Sequence, residues 1–274
     1  MTKLRERLPV RRALLSVVSL FALAGLLSGG VASASGHPRA VPAPPAAPTS
    51  ADQIQNLDQV KTAIKAYYGD TLVDGEHFPS ATGAYAHEMA GIEADAKRYL
   101  QWQQAHRHHT RQAIVLDVDD TSLNTYNYEI FSNFVYNPVS NAEYVNGQKF
   151  HEVFGMPALA NWANAHGITV FFLTGRPQTQ RDGTAGNLTK VGFTVPVDVP
   201  HLYLKYVSAD PTTFPAYLPC APTCTTIQYK SLTRQHIESL GYDIIGNFGD
   251  QFSDLEGGYA DRTFKLPNPM YFLP

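Results

Sequence analysis

The feature that most constrains the fold is an alternation that begins after Arg111. The apolar runs "QAIVLDV", "ITVFFLTG" and "YDIIGNFGD" alternate with helical stretches that each stop at a glycine: "ALANWANAHG" at Gly167, "TAGNLTKVGF" at Gly192 and "SLTRQHIESLG" at Gly241. Strands apolar along their whole length are buried on both faces, and glycine supplies the left-handed residue that ends a helix. The pattern predicts an α/β chain, a Rossmann-like parallel sheet covered by helices on both faces. "HLYL" and "TTIQY" read as further short strands. Upstream, Ile54, Leu57, Ile64 and Tyr67 keep a helical spacing, as do Met89, Ile92, Ala96, Tyr99 and Leu100, which predicts an N-terminal helical pair. Residues 124–155, aromatic and Asn-rich, interrupt the alternation as a small insertion after the first strand, placed to cover the sheet's carboxyl edge.

The chain's start belongs to a different kind of segment. Lys3, Arg5, Arg7, Arg11 and Arg12 precede the apolar run Ala13–Leu27, and Ala32-Ser33-Ala34 supplies small residues behind it. A spanning helix needs about 20 apolar residues; this run is shorter and reads as a cleaved export signal, residues 1–34. Residues 35–51, rich in Pro and Ala, are a linker, and 52–274 form the folded domain. The predicted product is secreted, with no membrane anchor after cleavage near Ala34. The chain's formal charge is −3, and residues 1–34 hold five bases against Glu6, so the remainder carries −7. That acidic balance argues against nucleic-acid binding, which calls for a basic face. Cys220 and Cys224 are the chain's two cysteines. In an exported chain they predict a disulfide closing a small loop. A zinc site would need two more ligands, and a redox thiol would need a βα setting.

In parallel sheets function collects at the carboxyl ends of strands. The first strand ends in Asp117, Asp119 and Thr121, the second in Thr174, Gly175 and Arg176. A later strand runs into Lys230, and the last gives Asp250 and Asp254. If the backbone stays extended, Asp117 and Asp119 project the same way. Carboxylates so crowded raise one another's pKa unless a cation intervenes. An all-oxygen set of this kind suits Mg²⁺, completed by a substrate phosphate. A calcium loop of the EF-hand type is excluded, because its glycine and glutamate positions hold Ser122 and Tyr128.

"VLDVDDT", "FFLTGRP", "YKS" and "GDQFSDL" together resemble the four motifs of the haloacid dehalogenase (HAD) superfamily. Their surroundings, with the tail "RTFKLPNPMYF", are most similar to its secreted acid phosphatases, the branch of class B acid phosphatases and plant vegetative storage proteins. The resemblance covers residues 52–274. It implies Asp117 as the nucleophile and Asp119 as general acid and then base. It implies Thr174 and Lys230 as holders of the phosphoryl oxygens. It implies Mg²⁺ on the Asp117 carboxylate, the Asp119 carbonyl and Asp250, with Asp254 as ligand or as an orienting group. Gly175 and Arg176 lie in the same phosphate-holding loop, where Arg176 either grips phosphate or buttresses the loop.

Lys205 also follows a strand candidate; Lys230 is preferred because it precedes a helix and matches "YKS". Asp120 reads as a supporting carboxylate. His106, His108 and His109 read as a solvated cluster. The expected activity is hydrolysis of phosphate monoesters. Phosphoryl transfer to an alcohol, and a non-catalytic storage or binding role on the same scaffold, are the alternatives. The insertion's Tyr126, Tyr128, Phe131, Phe134 and Tyr136 either pack on a leaving group or cover the sheet.

Overall fold

A computed structural model describes residues 47–106, 111–208 and 214–273. The expected export signal, most of the linker, His108 and His109 lie outside the described residues. In chain order the elements are α1 (Leu57–Tyr68), β1 (Thr71–Val73), β2 (Glu76–Phe78), α2 (Ala84–His106), β3 (Arg111–Leu116) and β4 (Leu123–Asn124). There follow α3 (Tyr126–Phe131), α4 (Pro138–Asn146), β5 (His151–Glu152), α5 (Met156–Ala165), β6 (Thr169–Pro177) and α6 (Arg181–Lys190). The last are β7 (Leu202–Lys205), α7 (Thr226–Ser239), β8 (Tyr242–Gly249), α8 (Phe252–Leu255) and β9 (Thr263–Lys265).

Five strands pair in parallel in the order β7-β6-β3-β8-β9. The period-two alternation of a strand divides its residues between two cores. Ile114 and Leu116 of β3, with Val170 and Phe172 of β6, face one cluster, which includes Met89, Ala96 and Leu100 of α2 and Leu159 and Ala163 of α5. Ala113 and Val115, with Phe171 and Leu173, face the other, with Tyr229 and Ile237 of α7. Burying a residue of this kind contributes about 1.5–3 kcal/mol, so each of these two faces is a substantial anchor for the strands. The chain runs outward from β3 to β6 and β7, then returns to β8 on β3's other side. The crevice between the carboxyl ends of β3 and β8 is therefore the topological switch point.

Two sequence expectations need revision, and one element is new. "TTIQY" is the start of α7. Thr225 accepts from the Gln228 backbone N–H at 3.2 Å while the Gln228 side chain accepts from the Thr225 N–H at 3.0 Å. This reciprocal cap outweighs the β-branched residues' strand preference, and it places Lys230 inside a helix. The first N-terminal helix starts at Leu57, later than the apolar spacing suggests, because the Asn56 side chain caps it through Asp58 N–H and Gln59 N–H. The β1–β2 hairpin is an addition. Its turn, Asp74-Gly75, has φ of +52° and +85°, the conformation an Asp-Gly pair favours.

The insertion closes on itself, because β4 and β5 pair antiparallel across its two ends. Within it Tyr126 and Tyr128 are buried, and Tyr126 stacks on Tyr68 with ring centroids 4.5 Å apart. Phe131 and Tyr136 are exposed. The covering and the outward-facing roles thus fall to different aromatics. Cys220 and Cys224 are disulfide-bonded in the loop that precedes α7. His106 ends α2, exposed, with its ring on Trp102.

Candidate active site

β3 stops at Leu116, Asp117 continues its hydrogen bonding to β8, and the backbone then turns between Val118 and Leu123. The Asp117 N–H donates to Phe248 O of β8 at 3.0 Å, and the N–H groups of Ser122 and Leu123 both reach back to Val118 O. Asp120 sits at φ +53°. Asp117 and Asp119 take different partners, although the Asp119 charge still reaches the Asp117 carboxyl. Asp117 faces Lys230, whose ammonium donates to its Oδ1. Asp119 faces Arg176 instead, with Nε at 3.0 Å from its Oδ2 and Nη2 at 2.7 Å from its Oδ1. Such a two-point grip fixes the plane of the carboxylate as well as its position. Arg176 is itself pinned, with Nη1 on the Thr184 hydroxyl at 3.0 Å. Its backbone N–H donates to Thr174 Oγ1 at 3.1 Å, and Thr174 is fully buried.

Across the switch point, Asp250 and Asp254 join Asp117. One carboxylate oxygen from each lies within 4.8 Å of the other two, and all three residues are buried. Asp254 Oδ1 is 3.0 Å from Lys230 Nζ, and its Oδ2 accepts from Gln251 N–H at 3.0 Å. The ammonium also donates to Leu173 O. Gly249 makes room for this close approach, since a Cβ there would stand 2.4 Å from that of Asp254. Arg234 of α7 holds the same turn, donating to Asp254 O at 2.7 Å and to Gly258 O at 2.8 Å.

Three buried carboxylates against one ammonium leave an excess of negative charge. Burial first, and then the Asp254 charge, pushes the Asp117 carboxyl well above its ordinary range, with Lys230 pulling the other way. Asp250 moves in the same direction for the same leading reason. Burial alone would lower the Lys230 ammonium, but Asp117 and Asp254 more than offset that and hold it up. The set is all oxygen, buried and negatively charged, and this is the chemistry that suits a hard divalent cation.

Asp120, read from sequence as a supporting carboxylate, anchors a network that spacing does not reveal. It accepts from Thr125 N–H at 3.0 Å, from the Thr125 hydroxyl at 2.5 Å and from the Tyr271 hydroxyl at 2.8 Å. Asp250 accepts from Gln251 Nε2 at 2.6 Å and Asn268 Nδ2 at 2.7 Å. Lys205, at the end of β7, is half-buried, and its ammonium is pushed down first by burial and then by the charge of Lys230.

Two buried carboxyls outside the metal-type cluster predict how stability depends on pH. Burial raises Asp120 to about 7, and burial with the Asp119 charge raises Glu129 to about 7. Between the ordinary carboxylate range and that value the folded chain holds protons the unfolded chain has released. The stability these two groups contribute is therefore greatest at the low end of that window and falls as pH rises through it, by about 1.4 kcal/mol per pH unit for each group. In EDTA the Tm should drop between pH 5 and pH 7, and Glu129→Gln should flatten the slope. A Tm that rises with pH over that range contradicts the assignment.

Comparison with known proteins agrees with the geometry. The family model described as HAD superfamily, subfamily IIIB (acid phosphatase) matches residues 48–274. Vegetative storage protein 1 of Arabidopsis thaliana is 27% identical over 227 residues, which are 81% of this chain and 74% of that protein. The stem 28 kDa glycoprotein of Glycine max is 37% identical over 109 residues, 39% of this chain, and the matched stretch spans only 37% of that protein's length. Acid phosphatase 1 of Solanum lycopersicum is 32% identical over 170 residues, 60% of each chain. The class C acid phosphatase of Bacillus anthracis superposes with a TM-score of 0.60 at 20% identity, covering 79% of this chain and 86% of that one. At that identity the likeness concerns the fold.

Proposed function

The chain belongs to the acid phosphatases of the HAD superfamily, subfamily IIIB, and from that premise we propose that it hydrolyses phosphate monoesters through an aspartyl-phosphate on Asp117, with Mg²⁺ as its cofactor. One observation carries the reading: Asp117, Asp250 and Asp254 meet, buried, at the switch point with Lys230 against two of them. Asp117, the carbonyl of Asp119, and Asp250 would hold the cation. When bound, Mg²⁺ neutralises charge on the phosphoryl oxygens and on the carboxylates beside them.

The protein's own groups carry the steps. A carboxylate oxygen of Asp117 forms the bond to phosphorus while the bond to the leaving oxygen breaks, and that oxygen takes its proton from Asp119. Asp119, now ionised, accepts a proton from water, whose oxygen attacks phosphorus and releases Asp117. Lys230, the Thr174 hydroxyl and the backbone around Gly175 stabilise the phosphoryl oxygens. Arg176 exchanges Asp119 for those oxygens as substrate enters, which frees the Asp119 carboxyl to carry the leaving-group proton. Asp254 keeps Lys230 aligned with Asp117.

The export reading rests on residues 1–34 together with the Cys220–Cys224 disulfide. The start of the family match at residue 48 supports a domain from about residue 52. N-terminal sequencing of the mature protein should find it starting near Ser35.

The test is a phosphomonoester panel assayed across pH, with Mg²⁺ and after EDTA. Hydrolysis should require the metal and return on its replacement. Adding an alcohol acceptor and measuring transferred against free phosphate separates a hydrolase from a phosphotransferase. Intact folding with neither turnover nor Mg²⁺ binding would favour the storage or binding role.

A further inference from the structure

The last residues of the described chain return to the acids from a distance in sequence. After β9, the Leu266 N–H donates to Gly249 O at 2.9 Å, and the Leu266 side chain is buried. Asn268 then reaches Asp250, Tyr271 reaches Asp120, and the Leu273 N–H donates to Gln251 Oε1 at 2.9 Å. Ser253 of α8 donates its hydroxyl to Leu273 O at 3.3 Å.

These bonds settle which way two amides face. Asn268 Oδ1 is taken by the Met270 N–H at 2.9 Å, so its Nδ2 is the end that meets Asp250. Gln251 Oε1 is taken by the Leu273 N–H and by the Asp254 N–H of the helix it caps, so its Nε2 is the end that meets the same carboxylate. Both donate to Oδ2 of Asp250. Among the described residues, Oδ1 is left with a single long hydrogen bond, from the Thr121 hydroxyl at 3.3 Å. A carboxylate saturated on one oxygen by two amides cannot easily turn to offer both oxygens, and groups that orient a ligand govern metal affinity as ligands do.

We propose that Leu266–Leu273 is a positioning strap for the cation site, in which Asn268 and, through Leu273, Gln251 hold Asp250 so that Oδ1 alone faces the metal. The inference rests on the Mg²⁺ reading above. It makes Asn268 and Gln251 positioning residues that act through Asp250 and touch neither substrate nor metal.

The experiment compares the wild-type protein with Asn268→Ser and Gln251→Met. Serine can still accept the Met270 N–H but is too short to reach Asp250, so Asn268→Ser is the decisive variant. Gln251→Met removes the second donor to the same oxygen together with the cap on Asp254 N–H, and Tm in EDTA separates the two effects. Mg²⁺ affinity is measured by calorimetry on metal-free protein, kcat and KM at saturating Mg²⁺, and Tm in EDTA. Each variant should bind Mg²⁺ roughly 10- to 100-fold more weakly. Turnover should recover toward the wild-type kcat as Mg²⁺ is raised, with KM for the phosphomonoester unchanged. A purely structural tail would lower the Tm and leave Mg²⁺ affinity intact, and that result overturns the proposal. If the wild type itself binds no Mg²⁺, the cation reading fails and takes this inference with it. If the wild type binds and both variants bind equally well, the strap alone is refuted.

Discussion

Asp117→Asn is expected to leave a folded protein whose phosphomonoesterase turnover falls roughly 10⁴- to 10⁶-fold, the scale on which removing a nucleophile acts. The side-chain amide keeps an oxygen where Lys230 donates to Oδ1, so the local packing survives. What it lacks is a charged oxygen able to form a bond to phosphorus. The magnitude discriminates between mechanisms. Were Asp117 only a metal ligand beside a directly attacking water, the loss would be smaller and added Mg²⁺ would recover much of it. The stability of the variant provides a control. Burial, and next the Asp254 charge, hold the native carboxyl well above its ordinary range, so its ionised form burdens the folded state near neutral pH. Asparagine removes that burden, and the Tm in EDTA at pH 7 should equal or exceed the wild-type value. Single-turnover assays with a labelled phosphomonoester should trap phosphate on the wild-type protein and none on the variant. A variant that turns over within tenfold of wild type would rule out Asp117 as nucleophile.

The acids at the strand ends were legible in the sequence because two simple rules act there. Strands apolar on both faces demand a parallel sheet, and a parallel sheet presents its strand ends on one edge. The alternation of β3 reads directly into the two cores, Ala113 and Val115 to one and Ile114 and Leu116 to the other. Local rules in competition were harder to read. "TTIQY" has the composition of a strand, yet Thr225 and Gln228 cap a helix there, because β preference depends on packing and the reciprocal cap is satisfied locally. The Asp74-Gly75 turn was available to a reader as a hairpin signal. That Asp117 pairs with Lys230 while Asp119 pairs with Arg176 could not be read from spacing, nor could the turn that brings the Ser122 and Leu123 N–H groups to Val118 O. No periodicity encodes that turn. Asn268, Gln251 and Tyr271 were beyond sequence reasoning for a different reason. They are polar residues in irregular segments; Asn268 and Tyr271 meet Asp250 and Asp120 only once β8 and β9 have aligned the tail over β3's end, and Gln251, though next to Asp250, is met by Leu273 only then.

Lys230→Met should produce the largest loss of stability among the site variants, and its dependence on conditions identifies the cause. Methionine keeps much of the side chain's length and volume but removes the charge that Asp117, Asp254 and Leu173 O share. Breaking a buried ion pair from one side typically costs about 3–5 kcal/mol, because the remaining charge has lost its partner in a medium that solvates it poorly. Here the loss is bounded by an alternative: Asp117 is already pushed well up by burial and can take a proton instead. In EDTA the Tm deficit should therefore be deepest above neutral pH and shrink as pH falls. Mg²⁺ should stabilise the variant more than the wild type, since the cation then answers more uncompensated charge. Turnover should fall about 10²- to 10³-fold even at saturating Mg²⁺, the usual cost of losing one preorganised donor to developing charge. The same experiment decides between the two lysines. Lys205, at the end of β7, is desolvated and feels the charge of Lys230. If it were the phosphate clamp, Lys205→Met would abolish turnover, while Lys230→Met would lower the Tm and leave kcat near the wild-type value. The expected outcome is the reverse, because α7 delivers the Lys230 ammonium directly onto the carboxylate of Asp117, the proposed nucleophile.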